Sequence, residues 1–254
     1  MAKVTVDDAQ DAKMPFLAHL DELRKRIVVS VIALGVGFAA TFSFSERIID
    51  WLARPMQKLG MKLAFLEPTE PFWVNMKVAL VAGLFLVFPV ILYEVWAFIA
   101  PGLLPHERKF ALPFIVIGTL CFGLGAAFAL MVIVPYALTF LVTFKATNLV
   151  ATISVNRYVD FVIKFTVAFG LVFELPLGIT LGSRLGLVTP EFLARNRKYA
   201  ILINFVIAAI LTPTPDAFNQ LLMAGPLILL YEVGIIAARL FGRRRSGAVT
   251  ATAD

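Results

Sequence analysis

His19-Leu20-Asp21-Glu22-Leu23-Arg24-Lys25-Arg26 is followed directly by about eighteen almost uninterrupted apolar residues, Ile27 to Phe44. A helix of that length can cross a hydrocarbon core of roughly 30 Å. The charged octet therefore belongs at the water-facing lip of a membrane-spanning segment. Asp21 and Glu22 sit there among three cations, spaced for helical pairs of Asp21 with Lys25 and of Glu22 with Arg26. Such pairs contribute a few tenths of a kcal/mol each. The same carboxylates are placed to receive a cationic partner from the water side, although spacing alone favours the helical pairs.

Composition sets the class. Of 254 residues, 60% are hydrophobic and 16% charged, against roughly a quarter charged in a soluble domain. The chain reads as one integral membrane domain at 14–242, with a mobile tail at 1–13 and a basic, disordered tail at 243–254. Ile27 to Phe44 is too long for the apolar core of a secretory signal. The formal charge of +6 is better explained by membrane topology than by nucleic acid. The single cysteine, Cys121, excludes an intrachain disulfide and a cysteine-clustered metal site, and no cofactor is expected.

Beyond the first span, residues 45–72 turn amphipathic and then proline-rich. Ile48, Ile49, Leu52 and Ala53 suit a short helix along the membrane surface, ended or bent by Pro55. Further apolar runs cover 73–99, interrupted by Pro89, then 110–134, ending at Pro135, and 158–182. The run at 199–211 offers only about 20 Å of helix. Thr212-Pro-Thr-Pro-Asp216 then reverses the chain into the last run, 217–240, which Gly225-Pro226 interrupts. The expected architecture is all-α: six transmembrane helices, the fifth and sixth short, with local thinning of the bilayer. Alternating the loops places fifteen Lys and Arg on the side of both termini and six on the other, so both termini are expected in the cytoplasm. Arg243-Arg244-Arg245 is then the basic collar of the last helix, worth up to about 1 kcal/mol per charge near anionic lipid.

Acids inside the apolar runs need an explanation. Glu174 lies near the middle of the fourth run, where an ionised acid costs on the order of 2.5–3.5 kcal/mol. It should face protein or a water-filled hollow, in either a structural or a functional role. Asp160 and Lys164 are spaced to pair with each other. Glu94 and Glu232 fall near the cytoplasmic ends, within reach of the interface. Asp216 is placed to cap the last helix, with Gln220 one turn on. Glu107 shares the cytoplasmic lip with Glu22. Alone it reads as a solvated loop charge beside Arg108. Together the two glutamates could accept two guanidinium groups, each charge-assisted bond worth roughly 1.5–3 kcal/mol when partly desolvated.

His19-Leu-Asp-Glu-Leu-Arg-Lys-Arg26, Pro89 to Trp96, Phe98-Ile-Ala-Pro-Gly-Leu103 and His106-Glu-Arg108 together closely resemble the TatC family of the twin-arginine translocase. Phe128 with Pro135, Phe173-Glu-Leu-Pro176 and Leu211-Thr-Pro-Thr-Pro-Asp216 through Gln220 match as well, so the resemblance runs from about Met14 to Leu240. It implies a cupped, concave arrangement of six helices in the bacterial cytoplasmic membrane. It implies a receptor for twin-arginine signal peptides of folded proteins, driven by the proton gradient and not an enzyme. By resemblance Glu22 and Glu107 take the arginine pair, with Arg24 and Phe98 shaping that site. Glu174 would line the concave face. Asp216 and Gln220 would lie where the single-span partners TatA and TatB meet the helices. Pro55 would matter for assembly, which also involves other copies of the chain.

Two rival classes fit less well. A proton-coupled solute transporter could use Glu94, Glu174 and Glu232 as a relay, but the two halves of the chain do not resemble each other. A membrane-embedded enzyme would have only His19 and His106 as bases, and neither G-x-S-x-G, H-E-x-x-H nor a Walker loop occurs.

Overall fold

Apolar length decides the architecture. The structure, a computed structural model, describes residues 6–102, 108–143, 152–211 and 217–241. The first apolar run forms the later part of a 37-residue helix, α1 (Val6–Phe42). That helix begins inside the stretch expected as a mobile tail, which is helical from Val6 onward. After α1 comes α2 (Ser45–Lys58), amphipathic as expected. Its Ile48, Ile49, Leu52 and Met56 turn onto the core, whereas Glu46, Asp50 and Arg54 stay exposed. Pro55 does not end α2, which runs on to Lys58.

The next helix, α3 (Glu70–Ile99), continues through Pro89 without interruption. Spanning helices tolerate such prolines because neighbours and small backbone adjustments satisfy the freed carbonyl. Helices α1 and α3 touch where Gly37 meets Gly83. A methyl group on Gly83 would lie 2.6 Å from the Phe38 backbone nitrogen, and one on Gly37 2.8 Å from the Gly83 carbonyl oxygen. Only glycine permits that approach. One turn on, Thr41 Oγ1 donates to the Ala79 carbonyl across the same seam, at 2.7 Å.

Helix α4 (Ala111–Phe128) passes through a wider turn at Ala129–Ile133 into α5 (Val134–Thr143), one helical segment of 33 residues. Pro135 does not end this helix, as its position in the sequence suggests, but sits inside it. A proline ring clashes with the carbonyl four residues back, here that of Met131, and a widened turn relieves the clash. The fourth run divides into α6 (Val155–Phe173) and α7 (Leu175–Arg184). A two-residue parallel bridge joins β1 (Leu63–Ala64) to β2 (Ile153–Ser154), a small departure from an all-helical chain.

Last come α8 (Pro190–Arg195), α9 (Arg197–Leu211) and α10 (Ala217–Phe241). Five helical segments are long and apolar enough to cross a membrane. With 15 residues, α9 reaches only about 22 Å and is not among them. Of the two helices expected to be short, only this one is. Helix α10 has 25 residues and continues through Gly225-Pro226.

The core gathers around α6, where Phe165, Phe169, Ile133, Val162, Met223 and Leu227 are almost wholly buried. Facing outward, Leu112, Leu120, Leu124, Met131, Leu202 and Ile210 form an apolar belt suited to lipid rather than water. Contacts sort the helix ends into two sets. His19 with Phe98, Arg26 with Glu94, and Arg184 with both Phe110 and Phe241 join one end, which is rich in arginine. Ser45 with Asn75, β1 with β2, and Phe140 with Phe218 join the other.

Candidate functional site

At the arginine-rich end, one guanidinium serves two carboxylates. Glu22 and Arg26 are one turn apart on α1, and Arg26 Nη2 donates to Glu22 Oε1 at 3.2 Å. From the same side chain, Nη1 donates to Glu94 Oε2 on α3 at 3.1 Å. Glu94 is 7% exposed. Rather than reaching the interface, as its place in the sequence suggests, it lies buried between helices, where an acid without a cation would be strongly unfavourable. Two acids around one cation leave the cluster with a net negative charge. Among the described residues, nothing donates to Glu22 Oε2, and the expected Asp21–Lys25 pair does not form. Arg26 Nε is buried without a hydrogen-bond partner.

Rings and an apolar slot complete the surroundings. The His19 ring stacks on Phe98, with centroids 4.4 Å apart and planes 17° from parallel. Beneath the Arg26–Glu94 pair, a slot of about 250 Å³ lies between α1 and α3, lined by Leu23, Ile27, Val31, Ile91, Val95 and Phe98. Arg24 is exposed on the outer face of α1 and makes no ion pair among the described residues. The structure therefore brings Glu22, Arg24 and Phe98 to one end of the molecule. Glu107 lies outside the described residues, as does Asp216. Arg108, just beyond Glu107, donates to the Pro101 carbonyl at 3.5 Å, so the described chain resumes at this same end.

Glu174 occupies a different place: the break between α6 and α7. Its backbone nitrogen donates to the Leu171 carbonyl at 3.1 Å, a tightened final turn of α6. Pro176, two residues on, cannot continue the α6 ladder, which explains the break. The carboxylate leans toward α4, where a methyl group on Gly118 would lie 3.2 Å from Glu174 Oε2. Its Oε1 is buried without a hydrogen-bond partner. The acid thus faces protein, as its depth in the fourth run required.

The other candidates are scattered. Pro55 lines a cavity of about 520 Å³ between α2 and the α5–α6 side, with Trp51, Met131, Leu138 and Tyr158. Gln220 donates to the Phe205 carbonyl at 3.2 Å, tying α10 to α9. Glu232 pairs with Arg197 at 2.7 Å. The expected Asp160–Lys164 pair is replaced: Asp160 pairs with Lys77 of α3, and Lys164 donates to the Ile210 carbonyl at the end of α9. Sequence reasoning missed three features. Glu70 is buried and accepts from Ser154 Oγ and the Leu66 nitrogen. Asn204 is buried on α9, its Nδ2 without a partner. The third is the bond from Arg26 to Glu94, whose partners lie 68 residues apart.

This arrangement has relatives. Residues 18–226 match the family model for the Sec-independent protein translocase protein TatC. A protein of that name from Desulforapulum autotrophicum is 44% identical over 239 residues, covering 93% of this chain and 88% of its own. Its counterpart from Aquifex aeolicus is 42% identical over 236 residues, covering 91% and 98%. A crystal structure of a twin-arginine translocase receptor, TatC, superposes with a TM-score of 0.79 at 41% identity, over 89% of this chain and all of that one.

Proposed function

We propose, from the premise that this chain belongs to the TatC family of Sec-independent protein translocase proteins, that it is the receptor which binds twin-arginine signal peptides at its arginine-rich end. A multi-pass membrane protein and a component of that translocase, it would receive the signals of folded cargo on the cytoplasmic face. The observation that carries the reading is the half-exposed Glu22, one of whose oxygens is held by Arg26 while the other has no partner among the described residues. A guanidinium arriving from water meets an acceptor already oriented and a cluster that is still net negative. Glu107 supplies the second acceptor, and Arg24 and Phe98 border the site.

The wider assignments are part of the same proposal. Both termini face the cytoplasm of a bacterial cell. Pro55, Asp216 and Gln220 contribute to assembly with single-span TatA- and TatB-type partners and with further copies of this chain, within a lipid bilayer. Glu174 acts later than recognition, in passage driven by the proton gradient. Glu174→Gln is therefore expected to leave signal binding intact and to impair export. Unimpaired export in that variant would remove it from the mechanism.

Peptide affinity tests the docking reading. Glu22→Ala and Glu107→Ala should each weaken binding of a peptide with adjacent arginines far more than its Lys-Lys counterpart, because an ammonium cannot form the same two-pronged contact. Equal losses for both peptides would mean a general charge effect.

A further inference from the structure

We infer that Arg26 and Glu94 are positioning residues for Glu22: the buried acid fixes the guanidinium, and the guanidinium fixes the exposed acid with one oxygen left for an incoming cation. This rests on the reading of Glu22 as a signal acceptor.

The geometry runs in a chain. Glutamate on a helix surface samples many rotamers, and a ligand must order it on binding. Here Arg26 Nη2 already holds Glu22 Oε1 at 3.2 Å, while Oε2 has no donor among the described residues. Arg26 is itself long and would wander if held by Glu22 alone. Glu94 prevents that, holding Nη1 at 3.1 Å from within the α1–α3 seam. The guanidinium is planar and rigid, so pinning one of its terminal nitrogens aims the other. Arg26 and Glu94 lie on the same two helices, α1 and α3, that meet closely at Gly37 and Gly83. The three groups carry one positive and two negative charges, so Arg26 does not neutralise the cluster by itself and Glu22 keeps an acceptor for a second guanidinium.

The same contacts would also suit a contrary role, with Arg26 as a resident competitor that a signal arginine must displace. The two roles differ in sign, because removing a competitor tightens binding and removing a positioner weakens it.

The test uses the full-length protein purified in detergent, a fluorescent peptide with adjacent arginines, and its Lys-Lys counterpart. Glu94→Gln keeps the size and an acceptor oxygen but removes the charge. It is expected to bind the arginine peptide up to about tenfold more weakly, the scale of having to order one released side chain on binding. Arg26→Lys keeps the charge and loses the fork, so it should show a smaller loss, again mainly for the arginine peptide. In a Glu22→Ala background, Glu94→Gln should add nothing, since its effect is routed through Glu22. A full additional loss there would make Glu94 a residue of the fold and overturn the inference. Tighter binding in either single variant would overturn it in favour of a competitor. Weakening by Glu22→Ala with no change in Glu94→Gln and Arg26→Lys would overturn this inference alone. No effect of Glu22→Ala would overturn the docking reading and this inference with it.

Discussion

The two ends of this molecule use polar side chains in opposite ways. At the far end, polar groups are consumed in ties between elements. Ser45 Oγ meets Asn75 Oδ1 at 2.6 Å. Glu70 accepts from Ser154 Oγ at 2.9 Å and from the Leu66 nitrogen at 3.3 Å. Lys77 donates to Asn156 at 2.9 Å and pairs with Asp160. At the arginine-rich end, the Glu22–Arg26–Glu94 cluster ties α1 to α3 yet keeps an outward acceptor, and Arg24 remains exposed beside it. Buried polar groups that are fully paired specify a fold, whereas Glu22 Oε2 has no donor among the described residues.

Three single substitutions and one double-mutant cycle probe that contrast. The largest effect belongs to the seam on which both ends depend. Gly83→Leu would drive a side chain against the Phe38 backbone, where a methyl group alone would sit 2.6 Å away. It should cost about 3 kcal/mol of stability and lower the thermal midpoint in detergent; an unshifted midpoint would mean that α1 can move off α3 without penalty. Next, Glu22→Ala should weaken binding of the arginine peptide by roughly 1.5–3 kcal/mol, with the midpoint nearly unchanged. At the opposite end the pattern inverts. Glu70→Ala leaves a buried hydroxyl and a backbone N–H short of an acceptor, and should cost about 2 kcal/mol of stability while each folded molecule binds the peptide normally. A binding defect there would dissolve the distinction between the ends. The smallest effect is the half-exposed Lys77–Asp160 pair, for which a double-mutant cycle should return a coupling of roughly 0.2–1 kcal/mol.

Much of this is readable from the chain, for physical reasons that also explain the failures. Spans follow from apolar length, and the Glu22–Arg26 pair from spacing on a single helix. Prolines mislead. Pro89, Pro135 and Pro226 look like stops by the rules of helices in water, yet all three lie within continuous helical segments. In spanning helices the alternative, an exposed backbone in hydrocarbon, costs more than a kink or a widened turn. Spacing matches Asp160 with Lys164 because both share a helix, but α3 brings Lys77 closer and α9 offers Lys164 a carbonyl. Glu94 shows the same limit. Its depth is legible, whereas its partner sits on another helix, and the packing of α1 on α3 brings the two together. Family resemblance singles out Glu22, Arg24 and Phe98, which the structure gathers at one end. It does not reveal that Arg26 is already joined to Glu22 and Glu94.

Site-directed crosslinking distinguishes the two ends of the molecule as the place of signal recognition. In a Cys121→Ser background, single cysteines would replace Leu20, Asp21 and Lys25 at the proposed docking end, and the exposed Phe65 and Leu66 at the other. A twin-arginine signal peptide carrying a thiol-reactive group beside its arginines should join the first three positions, and excess unlabelled arginine peptide should suppress the reaction. Crosslinks confined to Phe65 and Leu66, or unaffected by the competing peptide, would contradict the assignment of signal recognition to the end that holds Glu22.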